Sequence, residues 1–339
     1  MESFVGSHIQ IDRDITSYEQ LRTWREEKIN EAIKNHQLLN TFHDELMSKV
    51  VMLSIKKLET EQGIVPARFA FIVMGSAGRF EQSIWSDQDH GIIYEGNATH
   101  DDYFLSLGAE IVKGLSVCGY EECEGKVMAN NPLWCLSSDS WQQQLTEWLE
   151  EETWESLRNT SIFFDSRVLI GTQSLMESQK QMIFDTISNK PHLLNRMVDN
   201  VQNSKKGIGW FGQLLPIQKG KHKGMLDFKE TVLFPFANAM RLLAYQKNMS
   251  ASPTVDRFKY IVPLDQDYKK YQTTFHKALE FRLLKTDISK SYESIHFIQL
   301  TNLTKTEKQE MKSWIKEGDS LMKKVTQNIR QSDRKEDIT

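Results

Sequence analysis

The chain has 339 residues, which at roughly 150 residues per domain predicts about two domains. Its formal net charge is −4 and its pI is near 6.2, which argues against a bulk nucleic-acid binder with a basic surplus. Hydrophobic residues make up 39% of the chain, enough for a packed core. With only 17 glycines and 7 prolines, the composition favours helices over a turn-rich β fold.

The N-terminus lacks a basic start followed by an apolar run, so we expect no signal peptide. The longest purely apolar run, Phe69 to Met74, is far too short to span a membrane, and we expect no membrane partner. Cys118, Cys123 and Cys135 are few for a secreted scaffold, which favours reduced thiols and a cytoplasmic location. Cys118 and Cys123 have no neighbouring Cys or His pair that would complete a closed zinc site.

The N-terminal segment, residues 1–61, is predicted to be helical over 15–61. Ser17 to Gln20 has the form of a capping box, and apolar residues then recur at helical spacing. The pattern predicts two helices or one broken helix.

Residues 62–175 are predicted to form a mixed α/β domain. Three short apolar segments indicate strands, at 68–74, 91–94 and 161–170, and the first suits a strand that is buried on both faces. Helical patterns lie between the second and third, at 101–117 and 139–158.

Strand signals fade after residue 176. Amphipathic helical patterns cover Val232 to Ala244, 268–287 and 305–330, so residues 176–330 are predicted to be a helical bundle, followed by a frayed polar tail at 331–339. The predicted fold class is an α/β (α+β) core with a small mixed sheet plus a helical bundle, helix-rich overall. We expect the bundle to face the Asp87/Asp89 edge, with a ligand pocket between the two domains.

The stretch from Gly75 to Tyr94 carries the chemistry. A buried strand ends in a Gly75-Ser76 turn, where glycine permits close approach of a ligand and the amides of a short helix can hold phosphate oxygens. Asp87 and Asp89 follow; in a strand their side chains share one face, where two carboxylates repel one another unless a cation lies between them. Oxygen ligands of this kind suit Mg²⁺.

The motif Gly-Ser-x-Gly-Arg-x-Glu-Gln followed by Ser-Asp-Gln-Asp resembles the polymerase-β-type nucleotidyltransferases. The most similar branch is the nucleotidyltransferase domain of PII-protein uridylyltransferases, with the related uncharacterised family found behind CBS and cyclic-nucleotide-binding domains. The resemblance extends over about residues 45–330, through segments such as Val127 to Pro132, Ser161 to Arg167 and Leu226 to Lys229. The last of these lies in what the family describes as a substrate-binding helical domain.

The resemblance implies transfer of a nucleoside monophosphate from a nucleoside triphosphate to a hydroxyl of a protein or small molecule, with release of pyrophosphate. It implies two Mg²⁺ ions held by three carboxylates, and a set of residues that contact the nucleotide. The metal ligands and catalytic residues would be Asp87, Asp89 and Asp165, and the nucleotide-binding residues would be Gly75, Ser76, Arg79 and Lys229.

Several residues have a second interpretation. Asp165 could instead form an ion pair with Arg167. Glu81 is an alternative candidate for the third carboxylate. Arg79 could be a partner of Glu81 or a surface residue, and Lys229 could belong to a solvated basic loop.

Two further alternatives stay open. Asn130 and Asn131 could shape the pocket rim, or simply form a turn before Pro132. The whole chain could be a catalytically inactive nucleotide-binding regulatory module, which could leave Asp165 paired away from the Asp87/Asp89 pair.

Overall fold

The computed structural model describes residues 15–202, 205–286 and 292–336, with side chains through 331. The chain divides into two compact units. The first contains the described residues up to Glu151 together with Asn159–Ile183, and the second contains Glu152–Arg158 and the described residues from Phe184 onward.

Two N-terminal helices open the first unit. Helix α1 (Tyr18–Ala32) begins with a capping box at Ser17, as its sequence predicts. Helix α2 (His36–Gln62) is capped by Asn35 and ends at Gly63. Residues 15–61 therefore form two helices. These pack on each other and on a later helix, α4 (Asp101–Val117).

The core of this unit is a small mixed sheet of four strands. The strands are β1 (Phe69–Val73), β3 (His90–Tyr94), β5 (Cys135–Ser137) and β6 (Arg167–Gly171), in the order β5-β3-β1-β6. Strand β1 is antiparallel to β3 and β6, whereas β3 is parallel to β5. Every residue of β1 and β3 is buried, which is why β1 has an almost purely apolar sequence.

A second, two-stranded ribbon lies beside this sheet. It pairs β2 (Asp87–Gln88) in parallel with β4 (Glu121–Glu122). The other elements of this part of the chain are helical and include a four-residue turn at α3: α3 (Gly75–Gly78), α4 (Asp101–Val117), α5 (Ser138–Glu151), α6 (Trp154–Phe164) and α7 (Gln173–Asn189).

The predicted strand at 161–170 is wrong over its first residues. Ser161 to Phe164 form the last turn of α6, and the strand β6 starts only at Arg167. An apolar run of this length does not distinguish a buried helix end from a buried strand. Asp165 consequently lies at the corner between helix and strand, not within a strand.

The second unit is mostly helical, as its sequence predicts. Its main helices are α8 (His192–Val201), α9 (Phe234–Gln246), α10 (Thr254–Ile261), α11 (Lys269–Lys285) and α12 (Lys305–Glu336). Helix α9 is buried along most of its length and packs against α12. A small antiparallel ribbon, β7 (Met225–Asp227) with β8 (Phe297–Gln299), was not expected from the sequence.

Two predicted ends differ from the structure. Helix α12 continues to Glu336, so the frayed tail predicted from 331 is helical up to that residue, and 337–339 lie outside the described residues. Helix α11 ends at Lys285, whereas the predicted helix ran to residue 287, which also lies outside the described residues. None of the described helices is both long and apolar enough to cross a membrane.

Candidate functional site

The turn after β1 is held in place by backbone hydrogen bonds. The Gly78 amide donates to the Met74 carbonyl at 2.8 Å, and the Arg79 amide donates to the Gly75 carbonyl at 3.1 Å. Gly75 has a φ of +53°, a left-handed conformation that favours glycine. The amides that open such a turn have no partner within it, so they are available to an anion.

The acidic pair lies on the strand segment that runs beside this turn. The Met74 amide donates to the Asp89 carbonyl at 2.8 Å, which joins the start of the turn to the backbone at Asp89. Asp87 and Asp89 are both half-buried. Gln88, between them, is fully buried and points to the opposite face, as the alternation of a strand requires.

Gln88 fixes this strand from its buried side. Its amide nitrogen lies 3.0 Å from Ser116 Oγ, 3.2 Å from the Tyr120 carbonyl and 3.3 Å from the Val112 carbonyl. Its Oε1 lies 3.2 Å from Nε2 of the buried His90. The Ala129 amide donates to Nδ1 of His90 at 3.1 Å, so Nε2 carries the proton that His90 donates to Gln88.

The ribbon brings a third side chain to the carboxylates. Asp87 is paired with Glu121 and Gln88 with Glu122, so continuing this parallel register places Cys123 beside Asp89. Ligand atoms of Asp87, Asp89 and Cys123 all lie within 4.8 Å of one another. Burial, followed by the charge of Asp89, raises the pKa of the Cys123 thiol to about 12. We call these three residues the Asp-Asp-Cys cluster.

Gly75 and the cluster are in direct contact. A Cβ built on Gly75 would lie 1.9 Å from Asp89 Oδ2, so only glycine leaves room for this carboxylate against the turn. The structure therefore brings together the predicted phosphate-binding turn and the predicted metal ligands. This cradle and the donor set, two carboxylates with an adjacent thiol, fit a divalent cation.

Asp165 is not a member of this cluster. Its Oδ2 lies 3.1 Å from Nη1 of Arg79, and the carboxyl is completely buried. Its backbone packs on the same turn, because a Cβ on Gly78 would lie 2.2 Å from the Asp165 carbonyl oxygen. Asp165, the expected third carboxylate, thus lies against the turn but forms an ion pair with Arg79.

The prediction of Arg167 as the ion-pair partner of Asp165 is wrong. Arg167 instead binds Asp44 of α2, at 2.9 Å between Nη1 and Oδ2, and donates to the Ala77 carbonyl. The prediction assumed that Asp165 and Arg167 share the face of one strand, and the helix that ends at Phe164 removes that relationship.

Arg79 is buried between two carboxylates. Its Nε donates to Glu81 at 2.9 Å, in addition to the contact with Asp165. Burial alone would lower the pKa of Arg79, but the charges and hydrogen bonds of Glu81 and Asp165 outweigh it and hold the pKa above its ordinary value. Of the interpretations of Arg79, the ion pair with Glu81 is present and the surface position is not, while its contact with a phosphate stays a prediction.

The other residues singled out in the sequence lie elsewhere. Lys229 belongs to the second unit, where its ammonium lies over the Phe234 ring at 5.5 Å. Asn131 stabilises a turn, because its amide donates to the Lys126 carbonyl and its Oδ1 accepts from the Leu133 amide. Asn130 is exposed. The role of Lys229 toward a nucleotide stays a prediction.

Cys123 is the residue of the site that the sequence did not indicate. Its spacing in the sequence relates it only to Cys118, which is buried elsewhere, with its thiol against the Tyr18 carbonyl. The available signal was the spacing of two between Glu121 and Cys123, which equals the spacing between Asp87 and Asp89 on the paired strand. Two-residue strands are too short for that signal to be recognised without the pairing.

Comparison with known families agrees with this division of the chain. A family model described as "Putative nucleotidyltransferase DUF294" matches residues 19–155, which include the turn and the Asp-Asp-Cys cluster. A second, described as "Putative nucleotidyltransferase substrate binding domain", matches residues 191–329. A comparison with curated proteins finds no match. The chain therefore belongs to this nucleotidyltransferase family and carries both of its parts, the transferase domain and the substrate-binding domain.

Proposed function

We propose that this protein transfers a nucleoside monophosphate from a nucleoside triphosphate to a hydroxyl group of a protein or a small molecule, in a reaction that needs Mg²⁺. The observation that carries the proposal is the contact between Asp89 and Gly75, which joins a pair of carboxylates to a turn with available amides. A triphosphate would meet the amides of the turn directly and the carboxylates through the cations that they would hold.

The reaction is an in-line displacement at the α-phosphorus. A bond forms from the acceptor oxygen to that phosphorus, and the bond from the phosphorus to the bridging oxygen of the β-phosphate breaks. Pyrophosphate leaves, and the hydroxyl proton passes to solvent. A pair of Mg²⁺ ions supplies stabilisation of the attacking and leaving oxygens when bound.

The chain's own residues supply position and charge. Asp87 and Asp89 would hold the cations, and Asp89 is fixed by its packing on Gly75. The backbone amides of Gly75 and Ser76, together with the Ser76 hydroxyl, would bind the outer phosphates. Arg79 acts through the backbone: its ion pairs with Glu81 and Asp165 tie the end of the turn to the corner before β6.

The test is incubation with each of the four nucleoside triphosphates, labelled at the α-phosphate, with Mg²⁺ and a cell lysate. We expect label on an acceptor with one nucleotide, and loss of transfer in Asp87→Asn and Asp89→Asn. Asp102→Asn, at an exposed position of α4, is the matched control and should keep transfer. Full transfer in both site variants would overturn the proposal.

One observation favours a second candidate function. The third carboxylate is paired with Arg79 and does not reach the Asp-Asp-Cys cluster, which suits a module that binds nucleotides without turnover. Calorimetry with each nucleotide distinguishes the two: binding that depends on Asp87 and Asp89, without release of pyrophosphate in the presence of lysate, would support the regulatory module.

A further inference from the structure

We infer that Cys123 is the third protein ligand at the Asp87/Asp89 pair, so that one of the two cation positions that Mg²⁺ would occupy in the proposed reaction binds Zn²⁺ or Co²⁺ more tightly than Mg²⁺. The inference rests on the proposed function, because it assumes that the carboxylate pair holds a divalent cation. It names a thiolate ligand, which strengthens the preference for Zn²⁺ and Co²⁺ over Mg²⁺ beyond that of a site of carboxylates alone.

Position in the ribbon supports this assignment. The parallel register of β2 and β4 places the side chain after Glu122 next to Asp89, on the face that also carries Asp87. The ligand atoms of the three residues lie within 4.8 Å of one another, close enough to surround one ion. The backbone at Cys123 is held by a turn in which its carbonyl accepts from the Lys126 amide at 2.9 Å.

Asp165 leaves the third position to the thiol. Its carboxylate is engaged by Arg79, and the carboxylates that reach the cluster are those of Asp87 and Asp89. Three protein ligands with a remaining open position are the arrangement of catalytic zinc sites. This differs from a closed four-ligand site, for which the sequence offers no further Cys or His pair.

Donor chemistry decides the ion preference. Mg²⁺ takes oxygen ligands and keeps much of its water, whereas a thiolate favours Zn²⁺ and Co²⁺. On coordination the thiol proton is released to solvent. A thiophilic ion would therefore displace Mg²⁺ from this position at far lower concentration.

The test is titration of the metal-free full chain with Co²⁺, with absorbance as the readout. Coordination by Cys123 should produce a thiolate-to-cobalt charge-transfer band at one equivalent, and excess Zn²⁺ should abolish it while excess Mg²⁺ does not. Loss of a residue that only orients a ligand costs about 10- to 100-fold in metal affinity, so Cys123→Ser should remove the band and weaken Co²⁺ at least about tenfold.

Two further variants separate ligation from misfolding. Cys118→Ser, at a cysteine outside the cluster, should retain the band, whereas Cys123→Asp should lose it and bind Mg²⁺ more tightly than the native chain. Thermal melting of each variant confirms that it is folded.

The outcomes also distinguish this inference from the proposed function. Co²⁺ binding that depends on Asp87 and Asp89 but gives no band would overturn the role of Cys123 and leave the metal-dependent transferase intact. Absence of any binding, by absorbance and by calorimetry, would overturn both.

Discussion

Asp89 lies so close to Gly75 that a methyl group on Gly75 would come within 1.9 Å of its Oδ2. Gly75 and Asp89 are 14 positions apart in the sequence. A hydrogen bond of 2.8 Å from the Met74 amide to the Asp89 carbonyl holds the two segments together. Turn and carboxylate therefore hold a fixed position relative to each other, which in-line phosphoryl transfer requires.

Gly75→Ala should displace the Asp89 carboxylate and sharply lower metal affinity and nucleotidyl transfer. The left-handed φ of +53° adds strain, typically about 1–2 kcal/mol for a residue with a side chain. Gly63→Ala is the matched control, since Gly63 also has a positive φ, +91°, but nothing lies within 4 Å of its added Cβ. The measurement is Co²⁺ or Mg²⁺ affinity by calorimetry beside thermal melting. Equal metal affinity in the two variants would contradict the contact.

Arg79→Ala should destabilise the first unit severely and not simply weaken nucleotide binding. The variant leaves Glu81 and Asp165 buried without the guanidinium, and breaking a buried pair in this way costs about 3–5 kcal/mol. Arg68→Ala, which removes an exposed ion pair with Glu95, should cost far less, because solvent screens such a pair. Chemical denaturation measures both. A fully stable Arg79→Ala that had lost nucleotide affinity would restore the phosphate role first expected for this residue.

Strands β1 and β3, part of β6 and most helices could be predicted from local sequence, whereas the three-residue strand β5 was not indicated. The apolar run Phe69 to Met74, which contains β1, stops at Gly75, and α4 spans the predicted residues 101–117. The corner at Asp165 could not be predicted, because Ser161 to Phe164 are equally compatible with a buried strand and a buried helix end. Only packing decides between the two.

The acidic pair and its turn were also accessible from the sequence, since all their residues lie within 15 positions. The ion pair of Arg79 with Asp165 joins residues 86 positions apart, and no local pattern indicates such a contact. Cys123 was missed for a similar reason, because its place beside Asp89 depends on pairing between two strands of only two residues.

Ser76→Ala tests the phosphate role that remains. Ser76 is half-buried in the turn, and loss of one hydrogen bond to a charged group is worth roughly 1.5–3 kcal/mol, about ten- to a hundred-fold in affinity. The loss should be similar for every nucleoside triphosphate, because phosphates are common to all of them. Ser106→Ala, at a half-buried position on α4, is the control. A change in base preference at unchanged overall affinity would mean that Ser76 contacts the other end of the nucleotide.

His43 should make the first unit sensitive to acid. Its Nε2 donates to the Ser83 carbonyl at 2.8 Å, and its Nδ1 lies 2.7 Å from the Tyr120 hydroxyl, which donates to it when the ring is neutral. Burial, with the nearby charge of Arg25, lowers the pKa of His43 to about 3.

Because this pKa lies below the value of the unfolded chain, stability is complete above about pH 6.5 and falls as the pH drops toward 3. At pH 5 the loss from this group is about 2 kcal/mol, from a difference of roughly 1.5 pH units. His43→Gln should be less stable at pH 7 but lose less stability between pH 7 and 5. Denaturation curves at both pH values measure the free energy of unfolding. If His43→Gln lost as much stability between pH 7 and 5 as the native chain, His43 would not be the source of the acid sensitivity.

Gln88 should control metal affinity without touching the metal. Its side chain binds three acceptors on one side and His90 on the other, which fixes the backbone between Asp87 and Asp89. Gln88→Glu keeps the size of the side chain but removes the amide donors, so the strand should loosen and metal affinity should fall about 10- to 100-fold with both aspartates intact. Glu122→Gln, at the exposed position paired with Gln88 in the ribbon, makes a change of the same size and should have little effect. Because a general loss of stability would not by itself change affinity in the folded state, calorimetric titration of Co²⁺ well below the melting temperature isolates the positioning role. Unchanged affinity in Gln88→Glu would show that the carboxylates are held by the turn at Gly75 alone.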